Sequence, residues 1–456
     1  MKQLIAFTII TIVTAHSFAQ KGTLTPYSIY GLGDPTRSQT TAIASMGGAN
    51  LAVVSTTGIN STNPATYSDI KRPSFNLDLK NEVLTLSNSS NSQSSNAFAI
   101  QNFSFAFPII NNFKKFKRRA GLSFGVTPLT AAGYDLSYTS SVNGLGEVDY
   151  LFFGEGGINS AQLGGSFDLV ANKSRTNVLS IGANANYIFG QISRNRATQV
   201  DVRAGASNVY RQSYLELSDF DLSGGLLFKH VDTLSVSKKN ADGTKYTDEV
   251  PFMYSIGAYI RPSRQVTASV HEYGFTFSDT VTNPSPIDTV QSHSAHEKLS
   301  TPISAGIGFS FNVANKWTIA ADLVHTQWST LSLGGKNYAL NNLTRLSLGT
   351  ELLPKVDIKD ADGKYLKTVR YRAGFSFELS PFNVGGVQPI RYGINFGLGF
   401  PLTAASLSNS MFNIGFEAAR RQAAGYSLTE NYMNIYAGIV ITPHVYDQWF
   451  AKRKYD

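Results

Sequence analysis

Apolar and polar residues alternate along much of this chain, and no segment beyond the N-terminus keeps a helical period. Four stretches show the alternation most clearly: Ser74–Lys80, Val369–Glu378, Arg391–Phe400 and Tyr432–Ile441. Successive side chains of a strand point to opposite faces of a sheet, so a period of two predicts strands with one apolar and one polar face. The pattern therefore predicts an all-β protein.

The length of these stretches favours a membrane barrel over a soluble sheet. Three of them contain ten residues, whereas soluble strands average about five or six. A tilted strand needs about 9–11 residues to cross the hydrocarbon layer. The apolar face is bulky and the polar face is small or charged, which is typical of barrels surrounded by lipid. Backbone groups in lipid must all be paired, so such a sheet must close. A secreted sandwich or propeller is the alternative.

The strand pattern recurs throughout the chain. Fifteen segments show it: 74–86, 97–108, 119–129, 161–172, 177–190, 211–229, 252–261, 264–278, 302–313, 316–328, 343–353, 368–378, 390–401, 411–420 and 431–441. Single-chain bacterial barrels have an even number of strands. We therefore join 252–278 into one ascending strand with a bulge at Pro262. This gives a 14-stranded antiparallel transmembrane β-barrel.

The connections between these segments are alternately short and long, as expected for periplasmic turns and extracellular loops. Residues 130–160, 191–210 and 279–300 are the predicted long outer loops. Two further connections, 230–251 and 354–367, are long for periplasmic turns. Each contains an Asp-Gly pair, which predicts a small hairpin.

The N-terminus has the layout of a secretory signal peptide. Lys2 precedes an uncharged apolar stretch, Leu4–Ala15, and the small Ala19 follows, which predicts cleavage after that residue. We expect a chain of four parts: a signal peptide (1–19), an N-terminal hatch inside the barrel (20–73), the barrel (74–441) and a periplasmic tail (442–456). The expected location is the cell outer membrane.

Composition supports this interpretation. Only 15% of the 456 residues are charged, against about 25% in ordinary soluble domains. The chain contains 39 Gly and no Cys. Its net charge of +8 raises nucleic-acid binding as a hypothesis. The basic residues are scattered, with clusters only at Lys114–Arg119 and Lys452–Lys454, so basic turns and a basic tail explain the charge and no nucleic-acid partner is expected.

The residues offer no catalytic constellation, so we expect neither an enzyme nor a cofactor. The sequence has no Gly-x-Ser-x-Gly elbow and no Cys nucleophile. His293 and His296 are three residues apart in a predicted outer loop, but a metal site needs further ligands.

Ionisable residues recur on the predicted inner face of the strands: Asp78, Lys80, Asp322, Arg345, Glu351, Arg370, Arg372, Glu378, Arg391 and Glu417. The antiparallel layout places Glu351 beside Arg370 and Arg372, and Glu378 beside Arg391, which predicts cross-strand ion pairs. A functional interpretation is that one arginine binds a fatty-acid carboxylate. The candidates are Arg345, Arg370, Arg372 and Arg391.

The region before the first strand carries a family resemblance. It reads Tyr27-Ser28-Ile29-Tyr30-Gly31-Leu32-Gly33-Asp34, then Met46-Gly47-Gly48, then Asn63-Pro64-Ala65 just before strand one. A Gly-rich start, an Asn-Pro-Ala motif and fourteen strands resemble the FadL/TodX family of outer-membrane transport proteins over the whole mature chain. The particular residues of these motifs resemble the branch of the family found in Bacteroidetes. The C-terminal stretch of the chain, Trp449-Phe450-Ala451-Lys452-Arg453-Lys454, resembles it too.

The resemblance implies a passive channel for hydrophobic compounds, such as long-chain fatty acids or aromatic hydrocarbons. Residues Asn63, Pro64 and Ala65 would belong to a hatch that plugs the lumen; a simple Asn-Pro turn is the alternative. Ligand would leave sideways at a kink in the third strand, which contains Gly125 and Pro128. Pro removes a ladder donor and Gly weakens pairing, so a gap or an ordinary bulge would fit there.

A second function stays open at this point. Members of this fold in Bacteroidetes act with the type IX secretion machinery, so the chain could be a barrel without transport that serves as an interaction or secretion accessory component. That hypothesis predicts a blocked lumen and extended outer loops that contact a protein partner.

Overall fold

The structure is a computed structural model of the chain. It describes residues 22–37, 39–54, 58–110, 118–172, 174–200, 207–239, 245–278, 281, 284–355, 365–402 and 408–443. The predicted signal peptide and most of the predicted C-terminal tail lie outside the described residues.

Within these ranges, sixteen strands have ten residues or more. They are β1 (Ser74–Ser87), β2 (Ser92–Ile110), β3 (Ala120–Val142), β4 (Gly146–Ala171), β5 (Asn177–Val200), β6 (Asn208–Lys239), β7 (Lys245–Arg261), β8 (Gln265–Phe277), β9 (Pro286–Ser300), β10 (Ser304–Val313), β11 (Trp317–Thr326), β12 (Leu343–Leu352), β13 (Arg370–Leu379), β14 (Ile390–Pro401), β15 (Met411–Gln422) and β16 (Thr429–Ile441). Three two-residue strands add to the sheet: Asp34–Pro35, Ser332–Leu333 and Lys336–Asn337.

Fourteen of these strands form a closed antiparallel ring. Its order is β1 to β7, then β10 to β16, and β16 pairs with β1 from Thr429↔Ser87 to Ile441↔Phe75. The strands β7 and β8 are two parts of one ascending strand, because both pair with β6 and they separate at residues 262–264. The predicted fourteen-stranded barrel is confirmed; in place of the bulge predicted at Pro262, the strand is broken at residues 262–264. We call the end with Ser74 and Ile441 the lower end and the opposite end the upper end.

The prediction of long outer loops was wrong. Strands β3 to β6 continue through most of 130–160 and 191–210, and β9 occupies most of 279–300. Above the ring, β3, β4, β5, β6, β8 and β9 pair in that order as an open sheet, which we call the upper sheet. The period-two pattern persists in part of it, as at Val266, Ala268 and Val270 of β8, whereas most of β9 is exposed on both faces.

The long lower connections follow the sequence prediction in part. Strands β6 and β7 pair as far as Lys239↔Lys245, so 230–251 is a hairpin as predicted. For 354–367, residues 356–364 lie outside the described ranges, and a 3₁₀ turn, Tyr365–Thr368, follows them. Another 3₁₀ turn, Trp328–Thr330, precedes Ser332–Leu333.

Inner and outer faces of the ring differ as predicted. Outward side chains such as Phe396, Ile394 and Phe416 are exposed, whereas Asn395, Ser376 and Glu417 on the inner face are buried. Alternation along each strand produces this division, because neighbouring side chains point to opposite faces. The inner residues are buried because the chain before β1 lies against them.

Residues 22–73, which we call the N-terminal segment, contain three short helices: Pro26–Ile29, Thr41–Ala44 and Pro64–Asp69. Each begins after a capping side chain. Thr25 accepts from Tyr27 N, Thr40 from Ile43 N and Asn63 from Ala65 N, which satisfies donors that a helix start leaves free. Among the described residues, no helix is long and apolar enough to cross a membrane.

Glycines on the inner face allow the N-terminal segment to approach the wall closely. Four glycine pairs lie opposite each other on neighbouring strands: Gly182↔Gly225, Gly257↔Gly308, Gly349↔Gly374 and Gly397↔Gly415. A Cβ atom at Gly225 would overlap the Asn63 side chain, and one at Gly257 would overlap the carbonyl of Leu51. Backbone of the segment therefore occupies the space that a side chain would fill on an ordinary strand.

Candidate functional site

A cavity of about 260 Å³ lies between the N-terminal segment and the barrel wall. Its walls come from the segment and from strands β3 to β7 and β10 to β12. Strands β13 to β16, β1 and β2 contribute no lining residue among those described. The cavity is therefore displaced to one side of the barrel interior.

The lining changes from apolar to polar across the cavity. The apolar side includes Leu32, Leu129, Ile158, Ile188, Leu217, Trp328 and Leu343, which belong to or pack against the largest buried hydrophobic cluster. The polar side includes Asn50, Thr62, Gln162, Asn186, Asp322 and Ser347. Such a lining suits a small, mostly apolar ligand with few polar groups.

Two inward aspartates bind the backbone of the N-terminal segment. Asp78 of β1 accepts from Thr41 N at 2.7 Å, at the start of the helix Thr41–Ala44. Asp322 of β11 accepts from Asn50 N at 2.5 Å and from Leu51 N at 2.8 Å. Both were among the inward ionisable residues expected from sequence, but their hydrogen bonds to the segment were not.

The four candidate arginines all have carboxylate partners. Glu351 binds Arg370, and it accepts from Arg372 Nε at 2.7 Å, as the sequence predicted. The distance from Arg345 Nη2 to Glu378 Oε2 is 2.7 Å.

The second predicted ion pair has different partners. Glu378 and Arg391 lie opposite each other in register, yet Arg391 binds Glu417 at 2.9 Å and Glu378 binds Arg345. Of the four candidate arginines, only Arg345 lines the cavity within the described part of the chain.

Arg37 is a cavity residue that the sequence reasoning missed. Its guanidinium lies 3.3 Å from Glu378 and 3.9 Å from Glu417, and it also lines the cavity. Burial, reinforced by the nearby charges of Arg391 and Arg345, lowers the pKa of Arg37 to about 10. Arg37 and Asp34 are the only charged residues between 22 and 68. Two charges in an otherwise uncharged segment are a sequence signal that could have identified both as candidate site residues.

A second missed cluster surrounds Arg421 of β15, whose side chain is 1% exposed. Its guanidinium binds Glu430 at 2.5 Å, Asp34 at 3.0 Å and Thr25 Oγ1 at 2.7 Å. The Tyr27 ring lies 4.9 Å from its Cζ atom, and the rings of Phe382 and Tyr432 are also close. Burial and the charge of Glu430 raise the pKa of Tyr27. This cluster fixes residues 25–34 to the barrel wall.

The Asn63-Pro64-Ala65 motif lies against the inner wall. Asn63 Nδ2 donates to Leu51 O at 2.7 Å and to Leu226 O of β6 at 3.1 Å. Pro64 starts the helix Pro64–Asp69, and a Cβ atom at Gly182 would overlap its backbone. The motif therefore connects the N-terminal segment to β5 and β6.

The wall between β2 and β3 is paired only in its lower part. The ladder runs from Ile110↔Ala120 to Phe103↔Val126 and includes Ser104↔Gly125. Above it, residues 92–102 pair with β1, and residues 127–142 pair with β4, where Pro128 precedes a bulge. Gly125 therefore lies within the paired ladder, and Pro128 lies above its end beside a bulge; the lateral opening at these residues stays a prediction.

The N-terminal segment lies along the part of the β3 edge that does not pair with β2. Asp34 and Pro35 pair with Ala131 and Thr130, and Thr36 donates from Oγ1 to Pro128 O at 2.7 Å. Thr127, Leu129 and Thr130 of this edge also line the cavity. The cavity, the short strand Asp34–Pro35 and the unpaired part of the wall are therefore contiguous.

The two predicted loop histidines do not share a site. Along β9, His293 lies opposite Glu272 and His296 opposite Ser269, so they point to opposite faces of the sheet. In the part of the chain that the structure describes, no three His, Asp or Glu side chains converge as metal ligands.

The fold is that of FadL-like outer-membrane barrels. The Ralstonia pickettii toluene transporter TbuX is 13% identical with a TM-score of 0.54, covering 89% of this chain and 98% of that one. A Pseudomonas aeruginosa FadL homologue is 13% identical (TM-score 0.54, 90% and 98% covered), and the P. putida toluene transporter TodX is 12% identical (TM-score 0.53, 90% and 99% covered).

The sequence comparison identifies the family itself. The sequence model of the BamG family matches residues 1–456, so the chain belongs to the BamG family. A search of curated proteins finds no match.

Proposed function

We propose that this protein is an integral outer-membrane channel for the passive uptake of hydrophobic small molecules. The cavity between the N-terminal segment and the wall carries this proposal, because it offers apolar surface to a ligand inside a closed barrel. The structural neighbours TbuX and TodX, which are toluene transporters, support the same class of ligand. Long-chain fatty acids and aromatic hydrocarbons are the compounds to test.

In this proposal the N-terminal segment acts as a hatch. Its backbone lies against the paired glycines of the wall, and the Asn63-Pro64-Ala65 motif connects it to β5 and β6. The ligand leaves the cavity sideways, past Thr127 and Pro128, where β2 and β3 are not paired with each other. Opening this route requires the strand Asp34–Pro35 to leave the edge of β3.

Arg345 is the proposed contact for a ligand carboxylate. It lines the cavity, whereas Arg370, Arg372 and Arg391 lie on the side bounded by β13 to β15. The carboxylate of a fatty acid would have to share Arg345 with Glu378. We expect the hydrocarbon chain to lie against the apolar side of the cavity.

A disulfide lock tests the route in living cells. The chain has no Cys, so Pro35→Cys/Thr130→Cys adds a single pair at positions that face each other across a ladder. Cα atoms of such partners lie about 4.5–5.5 Å apart, within reach of a disulfide. We expect uptake of labelled oleate and toluene to fall to the level of a deletion strain when the lock is oxidised, and to return on reduction.

The matched control is Thr85→Cys/Ser94→Cys, a facing pair in the fully paired wall between β1 and β2. Its oxidation should leave uptake unchanged. A deletion strain that retains uptake of both ligands would refute transport itself. A deletion strain that loses uptake while the oxidised lock retains it would refute the lateral route alone.

The second candidate function is a protein-interaction or secretion accessory component. The upper sheet favours it, because residues 286–297 of β9 pair with β8 on one side, and the described residues provide a main-chain partner on the other side only at Lys298, Leu299 and Ser300. Such an edge is a template for pairing with another chain. Purification from native membranes tests this function, and the absence of a stoichiometric partner would count against it.

A further inference from the structure

The upper sheet carries an aromatic and basic cluster that the transport proposal does not use. Side chains of Tyr138, Tyr150 and Phe152 form a stack: the Tyr138 and Tyr150 ring centroids are 4.8 Å apart, and those of Tyr138 and Phe152 are 6.2 Å apart. The planes deviate by 16° and 12°, so the rings lie nearly parallel. Tyr138 is 55% exposed, which leaves much of the stack open to a ligand.

Two arginines adjoin this stack. The Cζ atom of Arg196 lies 5.3 Å from the Phe152 ring centroid, and Arg211 on β6 is the direct cross-strand partner of Arg196. Both arginines are exposed, and among the described residues neither forms an ion pair with a carboxylate. Like charges directly opposite on neighbouring strands destabilise a sheet, so this pair would be stabilised by an anion placed between the guanidinium groups.

Register places all five side chains on one face of the upper sheet. Phe152 lies opposite Arg196, which lies opposite Arg211. Two residues below Arg196, Arg194 donates to Gly31 O of the N-terminal segment, so this face is continuous with the inner face of the barrel. The same face carries Glu272, which lies opposite Ser213 and accepts a hydrogen bond from Gln291.

We propose that Tyr138, Tyr150, Phe152, Arg196 and Arg211 form a binding site for an aromatic carboxylate on the upper sheet. The ligand ring stacks on the exposed Tyr138 in an offset arrangement, which aromatic pairs prefer to a face-to-face sandwich. Its carboxylate accepts from both guanidinium groups, which are donors suited to planar anions. The site lies above the ring of the barrel and does not depend on transport.

Calorimetric titration of the purified full chain in detergent micelles tests the site, with protein-free micelles as the blank. The probes are 2-naphthoate, 2-naphthamide, which has the ring without the charge, and cyclohexanecarboxylate, which has the charge without an aromatic ring. We expect 2-naphthoate to bind about tenfold more tightly than either control, because it alone makes both the charge-assisted hydrogen bonds and the stacking contact.

Two variants separate the contributions of charge and stacking. Arg196→Gln/Arg211→Gln should weaken 2-naphthoate binding about tenfold and abolish its preference over 2-naphthamide. Tyr138→Ala should weaken both naphthyl ligands and leave cyclohexanecarboxylate unchanged. Arg420→Gln, which alters an exposed arginine on β15, should change nothing.

Equal affinity of wild type and Arg196→Gln/Arg211→Gln for 2-naphthoate would overturn the proposal. So would wild-type binding of cyclohexanecarboxylate as tightly as 2-naphthoate, since the stack would then have no role. Because the substituted side chains are exposed, unchanged heat-modifiability on electrophoresis should confirm that each variant is folded.

Discussion

Residues 25–37 contact two sides of the barrel interior, and the bonds differ between them. On the side formed by β13 to β16, Asp34 binds the buried Arg421 and Arg37 binds Glu378. On the β3 side, Thr36 donates to main-chain oxygens of Pro128 and Leu129 at 2.7 and 2.9 Å, and Ser28 Oγ donates to Gly133 O at 3.0 Å. The side formed by β13 to β16 is held by charges and the contact with β3 by neutral hydrogen bonds, while Arg194 of β5 adds a hydrogen bond to Gly31 O.

The difference indicates which contact yields first. Removing one partner of a buried ion pair costs about 3–5 kcal/mol, whereas a neutral hydrogen bond contributes about 0.5–1.5 kcal/mol. The segment should therefore separate from β3 before it separates from β15. This order is the one that the proposed hatch requires, because the segment would stay anchored to β15 while one edge of the cavity opens.

The largest effect is expected from breaking the charged side. Arg421→Met removes the cation that Asp34 and Glu430 share, so the buried Glu430 and the half-buried Asp34 lose their cationic partner. We expect the free energy of unfolding to fall by about 3–5 kcal/mol, measured by urea titration in detergent, with faster proteolysis of the N-terminal segment. The adjacent exposed residue supplies the control, Arg420→Met, which should behave like wild type. A similar loss in both variants would contradict the assigned anchor.

An intermediate effect is expected where the segment meets a glycine. Gly225→Ala places a Cβ atom against the Asn63 side chain, and such overpacking costs about 1–3 kcal/mol. Gly224→Ala is the matched control, because the nearest atom to its Cβ would be 3.8 Å away. The difference in unfolding free energy between the two alanine variants measures the contact of the Asn63-Pro64-Ala65 motif with β6. Equal stability would place the motif away from the wall.

The smallest effect is expected at the part of the β3 edge that does not pair with β2. Thr36→Val removes the bond from Oγ1 to Pro128 O and keeps the side-chain shape and the bond from Thr36 N to Leu129 O. The loss of stability should be about 1 kcal/mol, measured in the same urea titration, and Thr36→Ser should restore it. A loss as large as that of Arg421→Met would show that both sides hold the segment equally.

Sequence alone determined the lower barrel. The predicted bounds of strands such as β14 and β16 agree with the structure to within two residues. Each of these strands has one apolar outer face and one polar inner face, so apolar and polar residues alternate in its own sequence. The even number of strands in closed barrels then required 252–278 to be a single interrupted strand. Inward carboxylates such as Asp78 and Glu417 followed from the same period of two.

Tertiary structure decided the upper sheet, the cavity and the partners of each charge. Part of the upper sheet keeps the hydrophobic period, as at Val266, Ala268 and Val270 of β8, but β9 is exposed on both faces along most of its length and shows none although its backbone pairs. Arg391 binds Glu417 instead of Glu378 because Arg37, which is distant in sequence, and Arg345 both bind Glu378. The position of the N-terminal segment against the wall depends on which glycines of separate strands lie side by side. Register across the ring determines that arrangement, and no local pattern encodes it.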